Sequence, residues 1–136
     1  MEQKGCVLIV DDEKSIVDTL RLVFEYDGYA VLTATSCAEA IHRLEDGRKF
    51  NAVITDLNME REDIGLEVAR AAKELTPKPA IVILTGFAQE SNTRAALEIG
   101  VDYMAHKPVE VNELMSAVNR LILRHRESET HRLPTA

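Results

Sequence analysis

The run Ala80-Ile81-Val82-Ile83-Leu84, followed by Thr85-Gly86, decides the fold. An unbroken series of apolar, mostly β-branched residues, with no polar alternate, is the pattern of a parallel strand covered by helices on both faces. Just before it stands Thr76-Pro77-Lys78-Pro79. Proline cannot donate the helical hydrogen bond, so these residues end a helix read over Leu66–Leu75. Toward the N-terminus the same alternation repeats. A strand at Cys6–Val10 precedes a helix with Ile16, Val17, Leu20, Val23 and Phe24 on one face, stopped by Gly28. A second strand lies near Ala30–Ala34. Ser36 and Glu39 then form a capping box, opening a helix that carries Ala40, Ile41 and Leu44 and ends near Gly47. A third strand follows at Asn51–Thr55. Toward the C-terminus a helix ending at Gly100 leads to a strand at Tyr103–His106. The last helix places Val111, Leu114, Met115, Val118, Leu121 and Ile122 close to the 3.6-residue period. Beyond Arg124 the chain turns polar, so residues 1–125 read as one domain and 126–136 as a frayed helix end and tail, or the start of a linker.

Alternating strands and helices, with right-handed crossovers, predict an α/β domain: a doubly wound parallel sheet between helical layers. Five such units suggest the flavodoxin-like (βα)5 architecture with strand order 2-1-3-4-5, in which sites lie at the carboxyl ends of the strands.

Composition narrows the function. At 136 residues, with 46% hydrophobic residues, the chain can bury about two-thirds of its surface. No apolar run approaches the roughly 18 to 20 residues that a membrane span requires. The N-terminal apolar stretch is interrupted by Asp11-Asp12 too early for a signal peptide, which predicts a cytoplasmic protein. The net charge is −7 and the basic residues are scattered, which argues against binding a nucleic-acid backbone. Cys6 and Cys37 match no metal or redox spacing and read as reduced thiols.

Chemistry concentrates at the strand ends. The first strand ends in Asp11-Asp12, the third in Asp56, the fourth in Thr85-Gly86 and the fifth in Lys107-Pro108. Singly, each has an ordinary use as a cap, a turn hydroxyl or a solvated charge. Together the carboxylates and the ammonium leave a net charge of about −2 in one cleft, where like charges oppose ionisation. A divalent cation would offset that charge. Donors that are all oxygen point to a hard ion, Mg²⁺ first and Mn²⁺ as an alternative, with a phosphoryl group as the second ligand. A carboxylate can attack phosphorus once the transferring oxygens are neutralised.

The motifs VLIVDDE, VITDLNM, IVILTG and HKP, at these spacings, resemble the receiver domain of two-component response regulators over Val7 to about Leu123. The resemblance implies that Asp56 takes a phosphoryl group from the phosphohistidine of a sensor histidine kinase or phosphotransfer protein. It implies Asp12, Asp56 and the backbone carbonyl of Asn58 as Mg²⁺ ligands, with Asp11 acting through water. Lys107 would pair with the acyl phosphate, its bond to Pro108 being cis so that the ammonium points inward. Thr85 would move toward the phosphoryl group and report to the surface of the fourth helix, fifth strand and fifth helix. That surface would control an effector or output domain, with homodimerisation as one route. The module would catalyse only its own phosphorylation and dephosphorylation, so it is not an enzyme in the usual sense.

Two positions depart from the family pattern. Glu60 stands where a proline is usual and Gly65 comes one position late, so Glu60-Arg61-Glu62-Asp63 forms a longer charged loop. That loop is either a solvated insertion or one in which Glu60 influences metal or kinase access. Met104 occupies the aromatic switch position, while Tyr103 falls on the other strand face. Met104 then either substitutes as a flexible apolar reporter or marks a different route of switching. Asn58 and Phe87 flank the site as candidates for tuning the acyl phosphate lifetime. His42 reads as a surface residue, His125 and His131 as tail residues, and His106 as a neighbour of Lys107 lining the switching surface; none makes a relay site.

Other functions fit less well. An aspartyl-nucleophile phosphatase of the haloacid-dehalogenase type needs an aspartate two residues after the nucleophile, where this chain has Asn58. A flavin or nucleotide binder lacks its glycine-rich motifs and, at 4% aromatic residues without tryptophan, a stacking platform. A receiver-like docking module that takes no phosphate is the remaining alternative.

Overall fold

The computed structural model describes residues 3–86 and 89–131. Its elements are β1 (Gly5–Val10), α1 (Lys14–Tyr26), β2 (Tyr29–Ala34), α2 (Cys37–Leu44), β3 (Ala52–Asp56), α3 (Gly65–Lys73), β4 (Ala80–Thr85), α4 (Glu90–Ile99), β5 (Tyr103–His106) and α5 (Val111–His131). The strands form one sheet in the order β2-β1-β3-β4-β5, and every neighbouring pair is parallel. This is the expected doubly wound topology.

Period-two alternation divides the core between the faces of the sheet. Leu8, Val10, Val53, Ile81 and Ile83 pack beneath α2, α3 and α4, whereas Val7, Ile9, Ile54, Val82 and Leu84 pack against Leu20 and Phe24 of α1 and Leu114, Val118 and Ile122 of α5. All residues of β4 are buried, as its uninterrupted apolar sequence requires. The Ser36 hydroxyl accepts from Glu39 N–H at 3.1 Å, as in a capping box, and Glu39 Oε1 reaches one residue further back, accepting from Thr35 N–H at 2.8 Å. The helix before Gly100 ends there, with Gly100 at φ 96°.

The reading of His125 as a tail residue needs correction. α5 continues as helix to His131, and His125 is a half-buried anchor within it. Its Nδ1 lies 3.2 Å from Lys78 O and its Nε2 3.4 Å from Asp102 Oδ1, while Asp102 Oδ2 accepts from Ile81 N–H at 2.8 Å. A polar sequence beyond Arg124 therefore still carries a tertiary contact. His42 and His106 are exposed, as expected of surface positions. Phe87 and residues 132–136 lie outside the described residues.

Candidate functional site

Parallel register brings the strand ends to one edge of the sheet. Val10 pairs with Thr55, Asp56 with Leu84 and Thr85 with His106, so the residues that follow or complete these strands converge. The backbone continues the ladder past the strands: Leu57 N–H donates to Leu84 O at 2.9 Å and Lys107 N–H to Thr85 O at 2.8 Å. Asp11, Asp56 and Thr85 are buried, while Asp12 remains exposed.

Lys107 ties the cluster together. Its Nζ lies 3.0 Å from Asp11 Oδ2, 3.3 Å from Asp56 Oδ1 and 3.4 Å from Glu13 Oε1. The Lys107–Pro108 bond is cis, and so is Thr76–Pro77. Asp11 divides its oxygens between two tasks, Oδ1 accepting from Glu13 N–H at 2.9 Å at the start of α1 while Oδ2 faces Lys107. Asp11 thus both closes a turn ahead of α1 and faces the Lys107 ammonium.

Electrostatics follow from this crowding. Burial, and then the charge of Asp11, push the Asp56 carboxyl up to about 6, with Lys107 opposing and Asp12 adding to the rise. Burial also lifts Asp11, against the Glu13 N–H and Lys107. For Lys107 burial disfavours the ammonium, but its close pairing with Asp11 and the charge of Asp56 outweigh it and raise the group above its ordinary value. Lys107 is a committed cation between carboxylates that resist ionising together.

The donor set fits a hard divalent ion. Carboxylate oxygens of Asp11, Asp12 and Asp56 all lie within 4.8 Å of one another. Asp11 Oδ2 is buried with no hydrogen-bond donor in bonding geometry, its neighbour being the Lys107 ammonium. Asn58 is exposed in the loop after β3, where its Oδ1 accepts from Asp63 N–H at 2.8 Å. Met104 is half-buried in β5 opposite Ile83 and packs on the α2–α3–α4 face, apart from the carboxylates; Tyr103 is exposed, as the alternation predicts.

The charged loop is more than a solvated insertion. Glu60 Oε2 and Oε1 lie 3.0 and 3.3 Å from Cys37 N, so this carboxylate receives the first amide of α2. The late Gly65 keeps a close approach to β3. A β-carbon there would collide with Asp56 O and stand 2.8 Å from Leu57 Cα. Within this loop Asp63 adopts φ 64°, in the left-handed region.

Sequence reasoning missed Glu13 as a neighbour of Lys107, although it directly follows Asp11-Asp12. Beside the cluster opens a groove of about 510 Å³, floored by Ile16, Leu20, Val109 and Val111 and sharing Glu13 and Lys107 with the site. No helix among the described residues is long and apolar enough to cross a membrane.

Comparison with known proteins agrees with this geometry. Residues 7–119 match the family model of the response regulator receiver domain. The chain is 36% identical over 122 residues to the response regulator SaeR of Staphylococcus epidermidis, covering 90% of this chain and 52% of that protein. It spans about half the length of the curated relatives it matches. Among solved structures, a CheY-like receiver domain protein of Methanospirillum hungatei superposes with a TM-score of 0.85 at 27% identity, covering 91% of this chain and 98% of that one. A response regulator of Burkholderia pseudomallei, solved with a phosphorylated aspartic acid, calcium ion and citrate, superposes with a TM-score of 0.77 at 26% identity over 98% of this chain and 77% of that one. With the sheet order, the strand-end residues and these matches in agreement, the chain belongs to the response regulator receiver domain family of two-component systems.

Proposed function

We propose that Asp56 is the phosphoacceptor of this signalling module and that a sensor histidine kinase or phosphotransfer protein supplies the phosphoryl group. The observation that carries this reading is the single ammonium of Lys107 set between Asp11 and Asp56, with Asp12 completing the carboxylate group. An Asp56 oxygen attacks phosphorus as the bond from phosphorus to the donor's imidazole nitrogen breaks. The electron pair of that bond leaves with the imidazole, and an acyl phosphate forms. Lys107 then turns from the Asp56 carboxylate to the phosphoryl oxygens, and the Thr85 hydroxyl orients toward them from the end of β4. Asp12, Asp56 and the Asn58 carbonyl would hold Mg²⁺, or Mn²⁺, with Asp11 acting through water. When bound, the ion supplies positive charge to the transferring oxygens. That the Burkholderia protein was solved with a phosphorylated aspartic acid and a calcium ion supports aspartate phosphorylation and a divalent cation here.

The output of this chemistry is a changed α4–β5–α5 surface, with Met104 on the inner face of β5 as a candidate reporter. That surface controls an effector protein or output domain, with homodimerisation as one route. We place the receiver unit at about residues 1–125, with α5 running on to His131 and the Arg126 guanidinium still donating to Lys4 O, and the module in the cytoplasm. It catalyses its own phosphorylation and dephosphorylation only.

The test is intact mass after incubation with Mg²⁺ and acetyl phosphate, beside Asp56→Asn and EDTA controls. One added phosphoryl group, confined to the wild-type sample containing Mg²⁺, is the expected result. A folded wild-type protein that gains no mass overturns the reading in favour of a docking module that takes no phosphate.

A further inference from the structure

The loop between β3 and α3 is closed at its base by its own residues. Gly65 N–H donates to Leu57 O at 2.8 Å, and Asp63 N–H donates to Asn58 Oδ1 at 2.8 Å. Such a loop, held only at the base, could still swing about its stem. Its apex, however, reaches another element. Glu60 belongs to an exposed stretch, yet its carboxylate lies at Cys37 N.

That amide is a natural partner. The first amides of a helix lack intrahelical acceptors, and the helix dipole favours a negative charge there. In α2 the capping box satisfies Glu39 N–H through Ser36 Oγ and leaves the Cys37 amide to another acceptor. Glu60 supplies it from a distant part of the chain, separated by 23 residues. The cap of α2 and the anchor of the loop are one interaction.

We infer that Glu60 is a positioning residue for the metal: by tethering the loop apex to the N-terminus of α2, it holds the Asn58 carbonyl at the distance from Asp12 and Asp56 that a cation requires. The inference rests on the proposed ligand set. Glu60 lies outside the carboxylate group of Asp11, Asp12 and Asp56, so its effect is on cation affinity rather than on the transfer step. Outer residues that orient ligands commonly change metal affinity without entering the coordination sphere.

Two substitutions separate tether from charge. Glu60→Ala removes both the acceptor and the charge; Glu60→Gln keeps an acceptor oxygen and removes only the charge. Mg²⁺ alone is titrated into each folded protein by calorimetry, and the rate of phosphorylation by acetyl phosphate is followed against Mg²⁺. The expected result is a Kd for Mg²⁺ raised about tenfold in Glu60→Ala and within about twofold of wild type in Glu60→Gln. The rate at saturating Mg²⁺ should be unchanged in both. Exchange of the Cys37 amide should quicken in Glu60→Ala only.

An unchanged Kd in Glu60→Ala, or equal weakening in both variants, overturns the inference. If wild type binds Mg²⁺ but accepts no phosphoryl group, the phosphoacceptor reading fails while the calorimetry still decides the role of Glu60. If wild type is phosphorylated and Glu60→Ala keeps its Mg²⁺ affinity, the tether alone is refuted. A wild-type protein that binds no Mg²⁺ overturns both.

Discussion

Gly65 packs directly on the carbonyl of Asp56, at a distance that leaves no room for a β-carbon. This contact makes the start of α3 the backing of Asp56. It also explains why the glycine is retained although it arrives one residue late. The energetic consequence runs against helix propensity, because alanine is the better helix former by about 1 kcal/mol. Backbone cannot yield as a flexible side chain can, so Gly65→Ala should destabilise the protein by about 2 kcal/mol net, within the range for overpacking. Urea denaturation measures this. A variant as stable as wild type would show that β3 and α3 separate easily at this point.

Asp56 sets a pH dependence whose sign can be worked out. Its carboxyl lies at about 6 in the folded protein, above the ordinary value of 3.8, because of burial and Asp11. The folded state therefore holds this proton more tightly than the unfolded state. Its stabilising contribution is fully present below the ordinary value and disappears as pH rises through about 6. Asp56→Asn removes the cost of the buried charge, so at pH 7 without divalent cations it should exceed wild type by up to about 3 kcal/mol. Below pH 4 the difference should vanish. Denaturation at a series of pH values decides; a variant less stable than wild type at pH 7 contradicts the account.

Divalent cations should act in the opposite direction. At a free Mg²⁺ concentration about ten times its Kd, wild type should gain about 1.4 kcal/mol by mass action, and EDTA should remove the gain. Asp56→Asn should gain much less, having lost the charge of a proposed ligand. Thermal unfolding with and without Mg²⁺ provides the measurement, and an equal gain in both proteins would assign the ion to another place.

His125 joins α5 to the loop before β5. The bond to Asp102 raises its pKa above 6.5, and burial, which opposes this, does not reverse the direction. Asp102 in turn is held below its ordinary value: burial pushes it up, but the His125 bond, the Ile81 N–H and Lys78 prevail. A histidine held above its unfolded value stabilises the fold fully below pH 6.5, and that contribution is lost as pH rises through the folded value. His125→Gln should accordingly cost roughly 1 kcal/mol at pH 6, and less by pH 9. A cost that does not change between these pH values would show that the contact depends on shape rather than charge.

Most of the fold was legible in local patterns. The apolar run at Ala80–Leu84, the capping box at Ser36 and Glu39, and the stops at Gly28 and Gly100 place elements within a residue or two of those observed. The same holds for Asp11, Asp12, Asp56, Thr85 and Lys107, because parallel strands in a doubly wound sheet deliver their carboxyl ends to one edge. A strand-end position is a local property, and the topology turns it into a site.

Partnerships between distant side chains were not legible in this way. Glu13 meets Lys107 across 94 residues, Glu60 meets Cys37 across 23, and His125 meets Asp102 across 23. Glu60 and His125 lie in stretches whose polarity, read alone, describes solvated chain. Hydrophobic period reports which face of an element is buried, whereas a charged side chain finds its partner only after crossovers and loop closures have set the distance between elements. The amino-acid sequence thus determined the order of strands and the chemistry at their ends. Tertiary structure decided which carboxylate holds the ammonium, which one caps α2 and which histidine secures α5, because those choices depend on separations of a few ångströms between parts of the chain that local pattern does not relate.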